Sequence, residues 1–176
     1  MTHSKLLTER LDQAGVAYEL LEHKPTDSAA DEATALGLRP NEVAKTIVVT
    51  AQEGNLRVVL PSSERIDMHK LREFLGAGKE LHLLTEEALG REYPEFELGA
   101  VPPVGGREDG VVVDRRVADL DRVVFEAGSH DRSVRMAVGD LVSLTGNARD
   151  QPRMALCDPP QDEEGRPDAA AGQQLQ

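Results

Sequence analysis

Apolar residues at Leu6, Leu7, Leu11 and Ala14 recur at helical spacing, so Ser4 to Ala14 is expected to form an amphipathic helix stopped by Gly15. From Val16 to Leu21 the pattern changes to that of a strand. Ser28-Ala29-Ala30-Asp31 has the form of a capping box and opens a short helix through Leu36, closed by Gly37. Two β-branched runs, Val43 to Thr50 and Leu56 to Leu60, flank Glu53-Gly54-Asn55, which has hairpin-turn chemistry. Asp67 is placed to cap a helix ending at Leu75. Glu80 to Leu84 is a strand candidate, and Thr85-Glu86-Glu87 opens a further helix that ends before Pro94.

A Gly/Pro-rich segment, Gly99 to Gly110, precedes three more strand candidates: Val111 to Asp114, Val123 to Glu126 and Val134 to Val138. A last short helix is expected from Gly139 to Leu144, ending at Gly146. Hairpins and short helices interleave without regular βαβ alternation. The expected fold is α/β of the α+β type, a mixed, largely antiparallel sheet or open barrel packed with short helices. From Gln161 onward Leu175 is the one large apolar residue, which predicts a disordered acidic tail. The expected organisation is one domain over 1–155 and a tail over 156–176.

Charge sharpens this picture. The 176 residues carry 20 Lys plus Arg against 32 Asp plus Glu, a formal net charge of −12. That balance argues against a generic DNA or RNA binder, which would present a basic field. The absence of Trp, with only three Phe and two Tyr, argues against a stacking platform for single strands. The single cysteine, Cys157, rules out an internal disulfide framework and a Cys-rich zinc site. No apolar run approaches the roughly 18 residues of a membrane span, and the polar start lacks a signal-peptide core. A cytoplasmic protein is expected.

Several familiar motifs fail on inspection. Gly76-Ala77-Gly78-Lys79-Glu80 resembles a phosphate loop, but Glu73 and Glu80 stand where Gly and Ser or Thr are required. Leu81 breaks a dinucleotide fingerprint in the same place, so a helix C-cap is the better reading. Ser129-His130-Asp131 holds three triad residue types in a row, but neighbours on a strand point to opposite faces and cannot chain by side-chain hydrogen bonds. A turn between strands is expected there. The five histidines show no metal-binding spacing, and no cofactor motif is present.

Two features remain. In VAKTIVVT, Lys45 shares its strand face with Val43, Ile47 and Val49, while Thr46 is expected on the opposite face. Either the Lys45 stem packs and its head reaches water, or Lys45 stands at a pocket rim and pairs with a phosphate or carboxylate. The second feature is Gly99-Ala100-Val101-Pro102-Pro103-Val104-Gly105, which fits GxxxPxG. It is either a rigid connection or a loop that presents backbone amides to a carbonyl oxygen or oxyanion.

Taken together, these features resemble the YbaK and prolyl-tRNA-synthetase-associated (INS-like) family of free-standing aminoacyl-tRNA deacylases. The resemblance runs from about Tyr18 to Gly146. It includes His23-Lys24-Pro25, Asp31-Glu32-Ala33, Lys45-Thr46, the GxxxPxG loop, Val111-Val112-Val113-Asp114, Val124 to Ser129 followed by Val134, and Asp140-Leu141 to Leu144-Thr145-Gly146. It implies a trans-editing enzyme that hydrolyses the ester of a mischarged tRNA, such as a cysteinyl- or alanyl-tRNA specific for proline. Water attack would be assisted by the substrate's own groups, with no metal, cofactor or covalent nucleophile.

By this resemblance Lys45 holds a phosphate near the terminal adenosine. The backbone at Gly99 binds the aminoacyl carbonyl or α-amino group, and Lys45 and Gly99 are the catalytic candidates. Thr46, Ala100, Val101, Pro102, Pro103, Gly105, Ser129, His130 and His23 complete the candidate substrate site. Asp114 either caps a turn or orients the pocket. The implied partners are the aminoacyl-tRNA 3′ end and an aminoacyl-tRNA synthetase, with no membrane and no DNA. A cluster of Arg115, Arg116, Arg122, Arg132 and Arg135 is either a local tRNA contact or a solvated mixed-charge face. A non-catalytic binding module that keeps the fold and docks on a synthetase, tRNA or another protein is the alternative.

Overall fold

The computed structural model describes residues 3–145. Cys157, Gly146 and the expected tail over 156–176 lie outside the described residues. Helix α1 (Lys5–Gln13) buries Leu7 and Leu11 and leads into strand β1 (Tyr18–Glu22). Helix α2 (Ala29–Ala35) starts where the Ser28 side chain accepts from the Asp31 N–H, the cap its sequence predicts. A single 3₁₀ turn (Pro40–Glu42) then delivers the chain to β2 (Ala44–Ala51), and a tight hairpin returns it as β3 (Gly54–Pro61).

Helix α3 (Met68–Leu75) is capped by Asp67, which accepts from His69 and Lys70, and it ends at a left-handed Gly76. The phosphate-loop look-alike is thus a helix terminus. The strand expected over Glu80 to Leu84 is only β4 (His82–Leu83), and α4 (Glu86–Glu92) follows on its Thr85 cap. After the Gly/Pro-rich loop come β5 (Gly110–Val113), the unanticipated one-turn helix α5 (Arg115–Ala118), β6 (Arg122–Ser129), β7 (Arg132–Ala137) and α6 (Val138–Leu144). Asp114 is completely buried and caps α5 by accepting from the Arg116 N–H at 2.8 Å, the turn-capping role of its two readings.

The strands form two open sheets, ordered β1-β7-β6 and β4-β2-β3-β5. Every pairing is antiparallel except β3 with β5. The sheets touch at a parallel bridge between Val43 and Val124. Beyond that bridge β2 and β6 run on in the same direction, and the space between them becomes the cleft described below. The main core lies under α1, α5 and α6 and is filled by Leu7, Leu11, Phe125, Val134, Met136 and Leu141. A second core packs α3 on β2 and β3 through Val49, Val58, Leu60 and Leu71.

The Gly/Pro-rich loop is held from inside. Arg57, on β3, is 1% exposed. Its Nη1 donates to the Pro102 carbonyl at 2.9 Å, and its Nη2 donates to Gly105 at 2.8 Å and Arg107 at 2.9 Å. Its Nε donates to Asp109 at 3.0 Å. Tyr93 donates its hydroxyl to the same carboxylate at 2.6 Å, and both the Arg57 and Arg107 guanidiniums lie over its ring. At Gly105, with φ of +100°, a Cβ would come within 3.0 Å of the Leu7 backbone. Only glycine lets α1 pass so closely over the loop.

Candidate functional site

A cleft of about 530 Å³ opens between β2 and β6, with α2 and the loop after α4 at its sides. Its volume falls within the roughly 300–1,000 Å³ usual for small-molecule sites. Ala44, Lys45, Thr46, Ile47 and Val48 line one wall consecutively, while Phe125 and Glu126 line the other. Lys45 and Thr46 both belong to the wall because the cleft wraps the start of β2 where the sheets separate. The expected division of the two residues between opposite faces does not keep Thr46 out of it.

Gly99 and Val101 also line the cleft, as does His130 from the β6–β7 turn. Leu83 and Leu98, both about half exposed, form an apolar rim. Of the other sequence candidates, Ala100 and Pro102 are buried in the loop, and Pro103 and Gly105 border a separate depression beside Arg57. Ser129 Oγ donates to Asp131 at 2.7 Å inside the turn and does not line the cleft. His23 does not line it either, but it reaches the cleft wall through Ser133.

His130 ties the loop to the turn. Its Nε2 lies 2.8 Å from the Leu98 carbonyl and its Nδ1 lies 3.3 Å from Glu126 Oε1. Its backbone N–H donates to Glu97 at 2.8 Å. Burial opposes the imidazolium, but the Leu98 carbonyl and the Glu126 and Glu97 carboxylates outweigh it and raise its pKa. Burial likewise raises the pKa of Glu126 against the pull of His130. Gly99 follows this anchor with φ of +86°, a conformation that strains any side-chain-bearing residue. His130 therefore fixes the height of the Gly99 backbone over the cleft.

Lys45 sits in the field of Glu64, whose carboxyl is raised by burial and lowered by Arg116 and Lys45. Four of the five arginines of the cluster are engaged with carboxylates. Arg115, Arg116, Arg132 and Arg135 each pair with a carboxylate, on Asp119, Glu64, Glu22 and Glu19 respectively. That is the mixed-charge reading.

The pattern reading missed Glu32 as a site residue. It is completely buried, lines the cleft, and is hydrogen-bonded through its Oε1 to Ser133 Oγ. Burial pushes its pKa up to about 8, which favours the neutral form. A signal was present, since Glu32 stands on the same helical stripe as Ala29, Ala33 and Leu36. Among the described residues, two buried side-chain polar atoms have no hydrogen-bond partner in the protein, Glu32 Oε2 and Thr46 Oγ1. Both belong to residues of this one cleft. Unsatisfied buried polar atoms are rare and costly, so their meeting in a cleft points to a polar ligand.

Two open sheets with short helices and a cleft at their seam define a small α/β domain. A family profile, the aminoacyl-tRNA editing domain, matches residues 23–144. The chain belongs to that family, the YbaK family of the sequence resemblance.

Solved structures share the fold. The chain is 22% identical to a proposed trans-editing enzyme for prolyl tRNA synthetase, covering 83% of this chain and 93% of that one with a TM-score of 0.73. It is 25% identical to hypothetical protein APE2540, covering 86% and 99% with a TM-score of 0.75. The same fold occupies 30% of a proposed signal transduction protein from Marinobacter aquaeolei, at 19% identity over 87% of this chain and a TM-score of 0.62.

Proposed function

We propose that this protein is a cytoplasmic trans-editing deacylase that hydrolyses the ester of a mischarged tRNA, of the cysteinyl- or alanyl-tRNA(Pro) kind. The observation that carries this reading is the convergence of Lys45, Gly99 and His130, distant in sequence, on one open cleft. A cleft that stays open between the lysine and the loop supports catalysis over the non-catalytic binding module.

In this reading Lys45 holds a phosphate of the 3′ end and so fixes the register of the acylated adenosine. The Gly99 backbone, set by His130, faces the ester. The substrate's own hydroxyl or side chain orients the attacking water, whose oxygen adds to the ester carbon as the bond to the ribose oxygen breaks. An activated ester needs mainly positioning and charge stabilisation, which a fixed loop supplies. The net charge of −12 gives no long-range steering toward tRNA. Recognition is therefore concentrated on the 3′ end and helped by a synthetase partner. The domain reading over 1–155 is part of this proposal.

A panel of mischarged tRNAs, assayed with and without a synthetase, tests the proposal. Release of the amino acid from at least one of them above the buffer rate is expected, and cleavage of none overturns it. Lys45→Ala is expected to cut activity or tRNA affinity by about 10-fold or more, the loss of one charged hydrogen bond, without changing the thermal midpoint. Wild-type turnover and affinity in that variant would remove the phosphate role.

A further inference from the structure

Half of the Glu32 carboxyl is committed and half is unused. Ser133 Oγ is hydrogen-bonded to Oε1, and the same Oγ lies 2.8 Å from His23 Nε2. His23 Nδ1 lies 2.8 Å from the Lys24 carbonyl oxygen. Oε2 has no partner in the protein.

This chain of bonds fixes where its hydrogens can sit. A carbonyl only accepts, so Nδ1 of His23 carries a hydrogen. If His23 is neutral, Nε2 is then an acceptor and takes the Ser133 hydroxyl hydrogen. Ser133 Oγ must accept in turn, and it accepts from a protonated Glu32 Oε1. If instead Glu32 is a carboxylate, Ser133 donates to it and His23 must donate from both nitrogens as an imidazolium. Either arrangement keeps every bond, and the two differ only in where one proton rests.

Resting on the deacylase reading, we propose that Glu32 is the anchor for the α-ammonium group of the aminoacyl ester, and that Ser133 and His23 take up the proton Glu32 gives up. As the ammonium N–H reaches Oε2, the O–H bond at Oε1 breaks and its proton forms a new O–H bond on Ser133. The original Ser133 O–H bond breaks and its proton forms an N–H bond at His23 Nε2. A carboxylate then faces the ammonium, and the imidazolium donates to Ser133 and to Lys24. No proton enters or leaves.

The surroundings favour this outcome. Asp27 before α2, Glu86 on α4 and Glu126 on β6 line the cleft and attract a cation. The Ser133 hydrogen bond and, more weakly, His130 in the turn favour the ionised form of Glu32, while burial and the Glu126 carboxylate oppose it until a cation arrives. Beside His23 is Asp131, held below the usual carboxylate range by the Ser129 hydroxyl and, more weakly, by Arg132 and His23.

The experiment uses the full chain and two adenosine amides in which nitrogen replaces the ester oxygen. One carries an α-amino group and the other an α-hydroxyl in its place. At pH 7 the wild type is expected to bind the amine about 10-fold or more tightly than the alcohol, the worth of a charged hydrogen bond. The ¹⁵N signal of His23 Nε2 is expected to move to its protonated position with the amine alone. E32Q is expected to lose the preference and leave His23 unmoved, and Ser133→Ala to leave His23 unmoved while Glu32 is intact.

Equal binding of the two amides by the wild type, a preference that survives in E32Q, or a His23 signal that ignores the amine would overturn the anchor. Those results would leave the deacylase reading standing. Binding of neither amide would overturn the anchor, and cleavage of no mischarged tRNA would overturn the deacylase reading with it.

Discussion

Arg57 and Glu32 are both ionisable and both almost completely buried, and their surroundings divide scaffold from site. All three guanidinium nitrogens of Arg57 donate, to Asp109 and to the carbonyls of Pro102, Gly105 and Arg107. Asp109 is itself shared with Tyr93 and Arg107. The cluster is closed and its product is a loop of fixed shape. Around Glu32 the accounting does not close, because Oε2 and the nearby cleft atom Thr46 Oγ1 lack partners. A buried polar network that is fully paired rigidifies, whereas one left partly unpaired costs stability and has a use for a ligand. The loop therefore reaches the cleft as a finished part, and the cleft waits for its last hydrogen bonds.

Breaking the closed cluster should have the largest effect. Arg57→Met takes the buried cation from Asp109, which keeps Tyr93 and Arg107, and leaves three loop carbonyls without their Arg57 donor. It should destabilise the fold by about 3–5 kcal/mol, read as a lowered urea midpoint. A loss below about 1 kcal/mol would show that the loop is held by other contacts.

The open cluster should answer to pH. Glu32 titrates near the ordinary 4.5 when unfolded and near 8 when folded, so the folded state binds more protons between those values. Its contribution to stability is therefore complete below about 4.5 and is lost as the pH rises toward 8. Glu126 and His130, both raised, slope the same way. E32Q should flatten the fall in thermal midpoint across that window without abolishing it. An unchanged slope would mean that Glu32 is ionised in the folded protein.

The same contrast explains what could be seen in the chain beforehand. Helix starts at Ser28, Asp67 and Thr85, the left-handed stop at Gly76 and the β2–β3 hairpin follow from neighbouring residues, and the structure has them where the pattern puts them. The division into two sheets depends on β1 finding β7 across most of the chain, which no local pattern encodes. Arg57 was hidden because Leu56 to Leu60 has the look of an apolar strand, and its partners come from a loop far along the chain. Lys45, Gly99 and His130 were legible as chemistry, but their shared cleft depends on where the sheets separate. Glu32 left a trace, an acid on an apolar helical stripe, but its burial depends on Ser133 of β7.

Thr46 offers the smallest and sharpest test of the comparison. Its hydroxyl is buried without a partner, so Thr46→Val exchanges an unsatisfied oxygen for a methyl of similar shape. Removing an unpaired buried polar atom should raise stability by about 1 kcal/mol, where the loss of a paired hydroxyl would lower it by a similar amount. Function should move the other way, because the atom that costs the free protein stability is one that a ligand in the cleft can satisfy. Thr46→Val should therefore melt higher and deacylate more slowly, while Thr46→Ser, which keeps the oxygen, should restore the rate. A Thr46→Val protein that melts lower would place the hydroxyl among satisfied groups. One that melts higher at full activity would make it a packing defect with no part in binding.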